Sequence, residues 1–205
     1  MELILVRHAE PAALADDDPR RGDPPLSALG LRQADAVARW LEGIGIDGIV
    51  SGPSRRAAET AAITGRRLGL EVAIDERLRD AEDGRGTYVP IDRDRRTDRE
   101  GYAARVRAYK TTDRLAEITP RVFESIEAWA EAFRGQRVAA FSHGSVVNAF
   151  AAGILGLPQQ AFMEAGYASG HRFMIASSGV RSVRSLNETA YLASLPSDSD
   201  GALPD

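Results

Sequence analysis

Glu2-Leu3-Ile4-Leu5-Val6-Arg7-His8 decides the fold, because four apolar residues, Leu3 to Val6, run without alternation and stop abruptly at two polar ones. A strand with one wet face alternates apolar and polar side chains. An unbroken apolar run fits a strand buried on both faces, as in a parallel sheet covered by helices. Arg7-His8 then opens a polar loop directly from that strand.

Outward from this segment the same pattern recurs. Residues 11–25 are rich in Asp, Pro and Arg and read as loop; Ser27 is an N-cap for a helix through Leu29, Ala34, Val37, Ala38 and Leu41, stopping at Gly43. Ile46–Val50 is the next strand, a helix covers Ser54–Leu68 with Gly69 as its C-cap, and Val72–Ile74 is a third strand. Helices are expected over Arg99–Lys110 and Pro120–Phe133, the second with Thr119 as cap and proline at its first position. Arg137–Phe141 is a strand ending in Ser142-His143-Gly144, a helix follows over Val146–Leu155, and Arg172–Ala176 and Val180–Leu186 close the sheet. The alternation predicts an α/β protein, three layers deep (α/β/α), with a mostly parallel central sheet. We expect one domain over 1–192, residues 79–118 as an insertion over the active-site edge, and a disordered tail at 193–205.

Composition narrows the function. The chain has 205 residues and a formal net charge of -4, so it carries no global basic field for nucleic acid. Its cysteine count is 0, which excludes disulfides and thiolate metal sites and fits a reducing compartment. The stretch before Arg7 is too short for a signal-peptide core, and no apolar run reaches membrane-helix length. A cytoplasmic protein is expected, with no membrane partner. Lys110 is the only lysine, so local anion sites must be built from arginine, whose planar fork suits phosphate.

The reactive residue types share one address. Arg7 and His8 follow the first strand, Arg56 the second, Asp80 and Glu82 the third, and His143 the fourth. In open α/β sheets, ligands bind beyond the carboxyl ends of the strands. Taken singly, each residue has a plain structural reading: a histidine at a strand end, an arginine in a surface ion pair, a solvated loop carboxylate. Their convergence argues for phosphoryl chemistry. Arginines hold the dianion, and an imidazole is available as nucleophile near neutrality. A second imidazole stabilises charge, and a carboxylic acid protonates the departing alkoxide.

These segments also resemble a known family. VRHAE at 6–10, SGPSRRAAETA at 51–61 and FSHGS at 141–145 look like the histidine phosphatase superfamily, the phosphoglycerate mutase-like group that includes small bacterial phosphatases. DPPLSALGLRQA at 23–34 and LNETAYL at 186–192 are similar to its other stretches; 87–120 and the tail are unmatched. The resemblance implies that His8 becomes phosphorylated and that Arg7, Arg56 and His143 form the phosphate pocket. It implies Arg56 rather than Arg55, because Arg56-Ala57 followed by Thr60-Ala61 fits the family spacing. The family's Leu-x-Glu acid reads here as Leu78-Arg79-Asp80, which makes Asp80 the acid, with Glu82 as substitute.

Where family mutases carry Ser or Thr, then Trp and Asn, this chain has Pro11-Ala12-Ala13, which favours hydrolysis over transfer between hydroxyls. The expectation is a phosphomonoesterase acting on a small-molecule phosphate ester or a phosphoprotein. The rivals are a mutase-type phosphotransferase and a non-catalytic phosphate-binding scaffold. No cofactor or metal is required, and a homodimer is the assembly entertained. Gly43-Ile44-Gly45-Ile46-Asp47-Gly48 spells a dinucleotide fingerprint in the wrong context, closing a helix instead of opening one. No G-x-S-x-G elbow occurs, and His171 reads as structural. The insertion carries Arg93, Arg95, Arg96, Arg99, Arg105 and Arg107 with Tyr88, Tyr102 and Tyr109, as a substrate-selecting lid or, more simply, a solvated face.

Overall fold

The computed structural model describes residues 1–15, 17–82, 98–110, 114–158 and 161–195. Its sheet has six strands in the order β3-β2-β4-β1-β5-β6, where β1 is Glu2–Arg7, β2 Gly48–Ser51, β3 Val72–Ile74, β4 Arg137–Ser142, β5 Gly170–Ile175 and β6 Arg181–Glu188. The pairs β1–β4, β2–β4 and β2–β3 are parallel; β5 lies antiparallel to β1, and β6 antiparallel to β5.

Both faces of the sheet are covered. Leu3 and Leu5 of β1 face the layer of α4 (Arg114–Ala132) and α5 (Gly144–Leu155), packing with Val122, Ile126, Val146 and Phe150. Their neighbours Ile4 and Val6 face the layer of α1 (Ala28–Ile44) and α2 (Arg55–Leu68), among Ala34, Val37, Leu41 and Ala61. The unbroken apolar run of β1 is thus accounted for by two cores, each taking alternate residues.

Two of the boundaries that differ from the sequence reading have a clear physical reason. Helix α1 runs through Gly43 and ends at Gly45, whose φ of 79° suits glycine and whose N–H donates to Leu41. Helix α4 begins at Arg114, so Pro120 lies inside it and Thr119 is not its cap. Burial of Leu115 and Ile118, in the first and second turns of the helix, outweighs the donor that proline lacks, and the Thr119 hydroxyl donates to the Leu115 carbonyl at 2.6 Å. In the expected insertion, α3 (Arg99–Lys110) forms as predicted. Tyr88, Arg93, Arg95 and Arg96 lie outside the described residues, as does 196–205 of the expected tail. Among the described residues, no helix is long and apolar enough to cross a membrane.

Candidate active site

Parallel pairing of β1 with β4 places Arg7 opposite Ser142, so His8 and His143 leave the sheet side by side, their rings 5.1 Å apart. The chain leaves β1 toward one face, through α1, and leaves β4 toward the other, through α5. That divergence opens a crevice between the two strand ends, the usual binding place in such sheets. Helix α5 starts at Gly144 and α2 at Arg55, so two helix N-termini add their positive ends to the crevice.

His8 is buried, and its Nδ1 lies 2.8 Å from the Ala9 carbonyl. A carbonyl only accepts, so Nδ1 carries the proton and the lone pair sits on Nε2. Burial, then His143, Arg56 and Arg7, hold His8 well below the ordinary histidine pKa, and the ring is neutral at pH 7. The loop that carries it is anchored from the α1 and α2 side. Ala9 N–H donates to Thr60 Oγ1 at 3.1 Å, and Ser27 N–H donates to the Glu10 carbonyl at 3.0 Å. Gly30 of α1 presses on that same carbonyl: a Cβ there would fall 2.1 Å from the Glu10 oxygen.

Arg56 is 1% exposed, rising from the first turn of α2. It donates to Asp80 Oδ2 at 3.2 Å, to Asp23 Oδ1 at 3.3 Å and to His143 Nδ1 at 3.3 Å. His143 accordingly uses Nε2, 3.0 Å from the Ser54 hydroxyl, as its donor. Burial is the largest influence on His143; Asp80 pulls the other way, the Arg56 and Arg7 charges add to the depression, and the pKa is pushed down to about 3. Arg7 donates to the Ala165 carbonyl at 2.5 Å, with its guanidinium carbon 3.8 Å from the centre of the Tyr167 ring.

The two candidate acids separate. Asp80, with its side chain 13% exposed, enters the pocket: Oδ1 accepts from the Ser145 hydroxyl at 2.7 Å, and Oδ2 meets Arg56 and lies 3.3 Å from His143 Nδ1. Burial would raise its pKa, but His143 and the Arg56 guanidinium outweigh it and hold the carboxyl below the ordinary aspartate range. Glu82 is half-exposed and pairs with Arg114 at the surface. Arg55 also lies at the surface, paired with Glu59 at 2.7 Å. His171 spends both ring nitrogens on Ser169 and Asn187, well inside the fold. Among the described residues no cluster of His, Asp and Glu could hold a metal ion.

Sequence reasoning missed Asp23, Ser54, Ser145, Ala165 and Tyr167. Ser54 and Ser145 sit at the starts of α2 and α5, and a hydroxyl beside a site-facing helix N-terminus was a usable signal. Ala165 and Tyr167 reach the site because β5 is antiparallel, so its beginning, and not its end, lies beside Arg7. No local pattern encodes that reversal.

The arrangement offers a neutral imidazole beside buried arginines, with the Asp80 carboxylate on Arg56 and His143. Curated relatives include a probable phosphoglycerate mutase, GpmB, of Escherichia coli, 30% identical over 166 residues covering 77% of this chain and 76% of that protein. Among solved structures, a mycobacterial glucosyl-3-phosphoglycerate phosphatase is 25% identical, with a TM-score of 0.71 over 92% of this chain and 99% of that one. Bacillus stearothermophilus YhfR, 22% identical, shares the fold with a TM-score of 0.72 over 93% and 98% of the two chains. Residues 3–188 match the histidine phosphatase superfamily (branch 1), and the chain belongs to that family.

Proposed function

We propose that this protein is a phosphomonoesterase working through a phosphohistidine on His8. The observation that carries the reading is the His8 tautomer: the Ala9 carbonyl holds the proton on Nδ1 and leaves Nε2 as the basic nitrogen, in a pocket whose fixed charges are Arg7 and Arg56. Burial among guanidinia disfavours imidazolium, so the nucleophile needs no deprotonation before attack.

A docking phosphate dianion replaces Asp80 as the anion on Arg56. Beside that dianion the Asp80 carboxyl gains affinity for a proton. His8 Nε2 then bonds to phosphorus as the ester oxygen departs, and Asp80 gives that oxygen its proton, so the alcohol leaves neutral. Water attacks the phosphohistidine in the second step. Its proton returns to Asp80, and His8 and phosphate are released. Arg7, Arg56 and His143 stabilise charge on the equatorial oxygens throughout. Placement supports Asp80 as this acid; Glu82 lies out at the surface, paired with Arg114.

Similarity to a probable phosphoglycerate mutase favours a second reading, phosphate transfer between hydroxyls. Pro11-Ala12-Ala13, where family mutases place polar groups, argues for water as acceptor.

The test is hydrolysis of p-nitrophenyl phosphate without added metal, wild type beside His8→Ala. Activity confined to the wild type, with an acid-labile phosphoenzyme, supports the proposal; activity kept by His8→Ala sinks it. Phosphate passing to an added alcohol faster than to water would favour the mutase reading.

A further inference from the structure

The segment 161–169 is held far more firmly than a connector between α5 and β5 requires. Asn148 of α5 donates to the Met163 carbonyl at 2.8 Å and accepts from the Met163 N–H at 3.0 Å. Gly166 N–H donates to the Asn187 side chain at 2.9 Å, and Ser169 Oγ donates to the Gly166 carbonyl at 2.7 Å. Ala168 takes a left-handed φ of 54°, which a side chain disfavours, and is fixed on both sides: its N–H donates to the His8 carbonyl at 3.1 Å and its carbonyl accepts from Tyr191 Oη at 2.6 Å. A strained residue so over-determined points to a geometric requirement nearby.

That requirement is Tyr167. The Ala168 turn lays the Tyr167 ring face-on to Arg7, 3.8 Å from its guanidinium carbon, and 5.6 Å from the His8 ring.

We infer that Tyr167 is a positioning residue for Arg7. A face-on ring uses none of the five N–H donors of a guanidinium while fixing its plane. The Ala165 carbonyl, 2.5 Å from Nη1, then fixes its rotation within that plane. Ring and carbonyl together set the fork for an incoming phosphate before it arrives, which removes a conformational cost from binding. The inference rests on Arg7 being a phosphate ligand.

The experiment measures orthovanadate affinity and kcat/KM for p-nitrophenyl phosphate in Tyr167→Phe, Tyr167→Leu, Arg7→Gln and the Arg7→Gln/Tyr167→Leu pair. Tyr167→Phe keeps the ring and should stay within about twofold of wild type, whereas Tyr167→Leu should lose roughly tenfold in both quantities, the scale of a partly desolvated cation–π contact. In the Arg7→Gln background the leucine change should cost nothing further, because its target is gone. An equal loss in both backgrounds, or none in wild type, overturns the inference. If Arg7→Gln itself leaves both quantities intact, the phosphate-pocket reading of Arg7 has failed instead. Should the leucine variant not fold, Tyr167→Phe is compared with Tyr167 replaced by pentafluorophenylalanine. The shape is nearly the same and the charge of the ring face is reversed, so an unchanged affinity would equally overturn the idea.

Discussion

Strand β1 carries a buried charge cluster at each end, built from the same residue types and put to opposite uses. At its start, Glu2 is 7% exposed and meets Arg137, Arg172 and Arg184, lying 2.5 Å from Arg172. At its finish, Arg7, Arg56, His8 and His143 gather with one largely buried carboxylate, Asp80, which meets Arg56 and His143. The first cluster places a buried anion among partly exposed arginines that water also solvates; it is a brace, tying β1, β4, β5 and β6 together. The second buries the cations and keeps both imidazoles neutral. Charge type alone does not make a site. Which sign is buried decides whether a cluster closes on itself or calls for an anion.

The sharpest way to break this contrast is Arg56→Ala. Loss of a preorganised donor of this kind costs about 10²–10³ in turnover, or roughly 3–4 kcal/mol of transition-state stabilisation. Steady-state kinetics beside a melting curve checks it, and a loss below tenfold would demote Arg56 to a scaffold role. Next comes Asp80→Asn. It should cost about 10² on an alkyl phosphate and under tenfold on p-nitrophenyl phosphate, whose leaving group needs little acid. Equal losses on the two substrates would remove Asp80 from the acid role.

Glu2→Gln probes the other end and should leave kinetics unchanged while lowering stability by about 1–3 kcal/mol, the range for hydrogen bonds to a charged group. At this chain length each 1 kcal/mol moves Tm by about 2–4 °C. Burial raises the Glu2 pKa, but Arg172, Arg137 and Arg184 outweigh it, so the folded value lies below the unfolded one. The contribution is therefore fully present above the ordinary glutamate pKa of about 4.3 and fades as pH falls through the lowered folded value. Tm of wild type and variant should converge in that acidic window; a gap that persists there would assign the effect to packing. The smallest effect is Glu82→Gln, within about twofold of wild type on either substrate, as expected for an exposed pair with Arg114. A loss matching that of Asp80→Asn would return Glu82 to the site.

Much of this was readable from the chain. The apolar runs before Arg7 and Ser142 announced strands buried on both faces, and their polar ends announced the crevice. Helix α4 was misjudged because Thr119-Pro120 imitates a helix start so well. The stripe Leu115, Ile118, Val122, Ile126 carries the helical period straight through the proline, and that longer-range signal outweighs the dipeptide. Which of Asp80 and Glu82 faces the pocket needed coordinates, since two residues of separation turn a side chain from the Ser145 hydroxyl to the surface. Tyr167 was invisible for a different reason: its role depends on the direction in which β5 rejoins the sheet.

The β1–β4 pairing has a further consequence, for the order in which the molecule assembles. His8 is made well before its companion His143, which follows β4, a strand that must thread between β1 and β2 after both have been synthesised. Parallel pairing across so much chain is a late and slow event in folding. A chain stalled before β4 therefore holds His8 without the pocket. Phosphate or vanadate, binding only once that central strand is seated, should slow unfolding and raise Tm with the logarithm of its concentration above Kd, reporting the completion of the fold and not merely the presence of the protein.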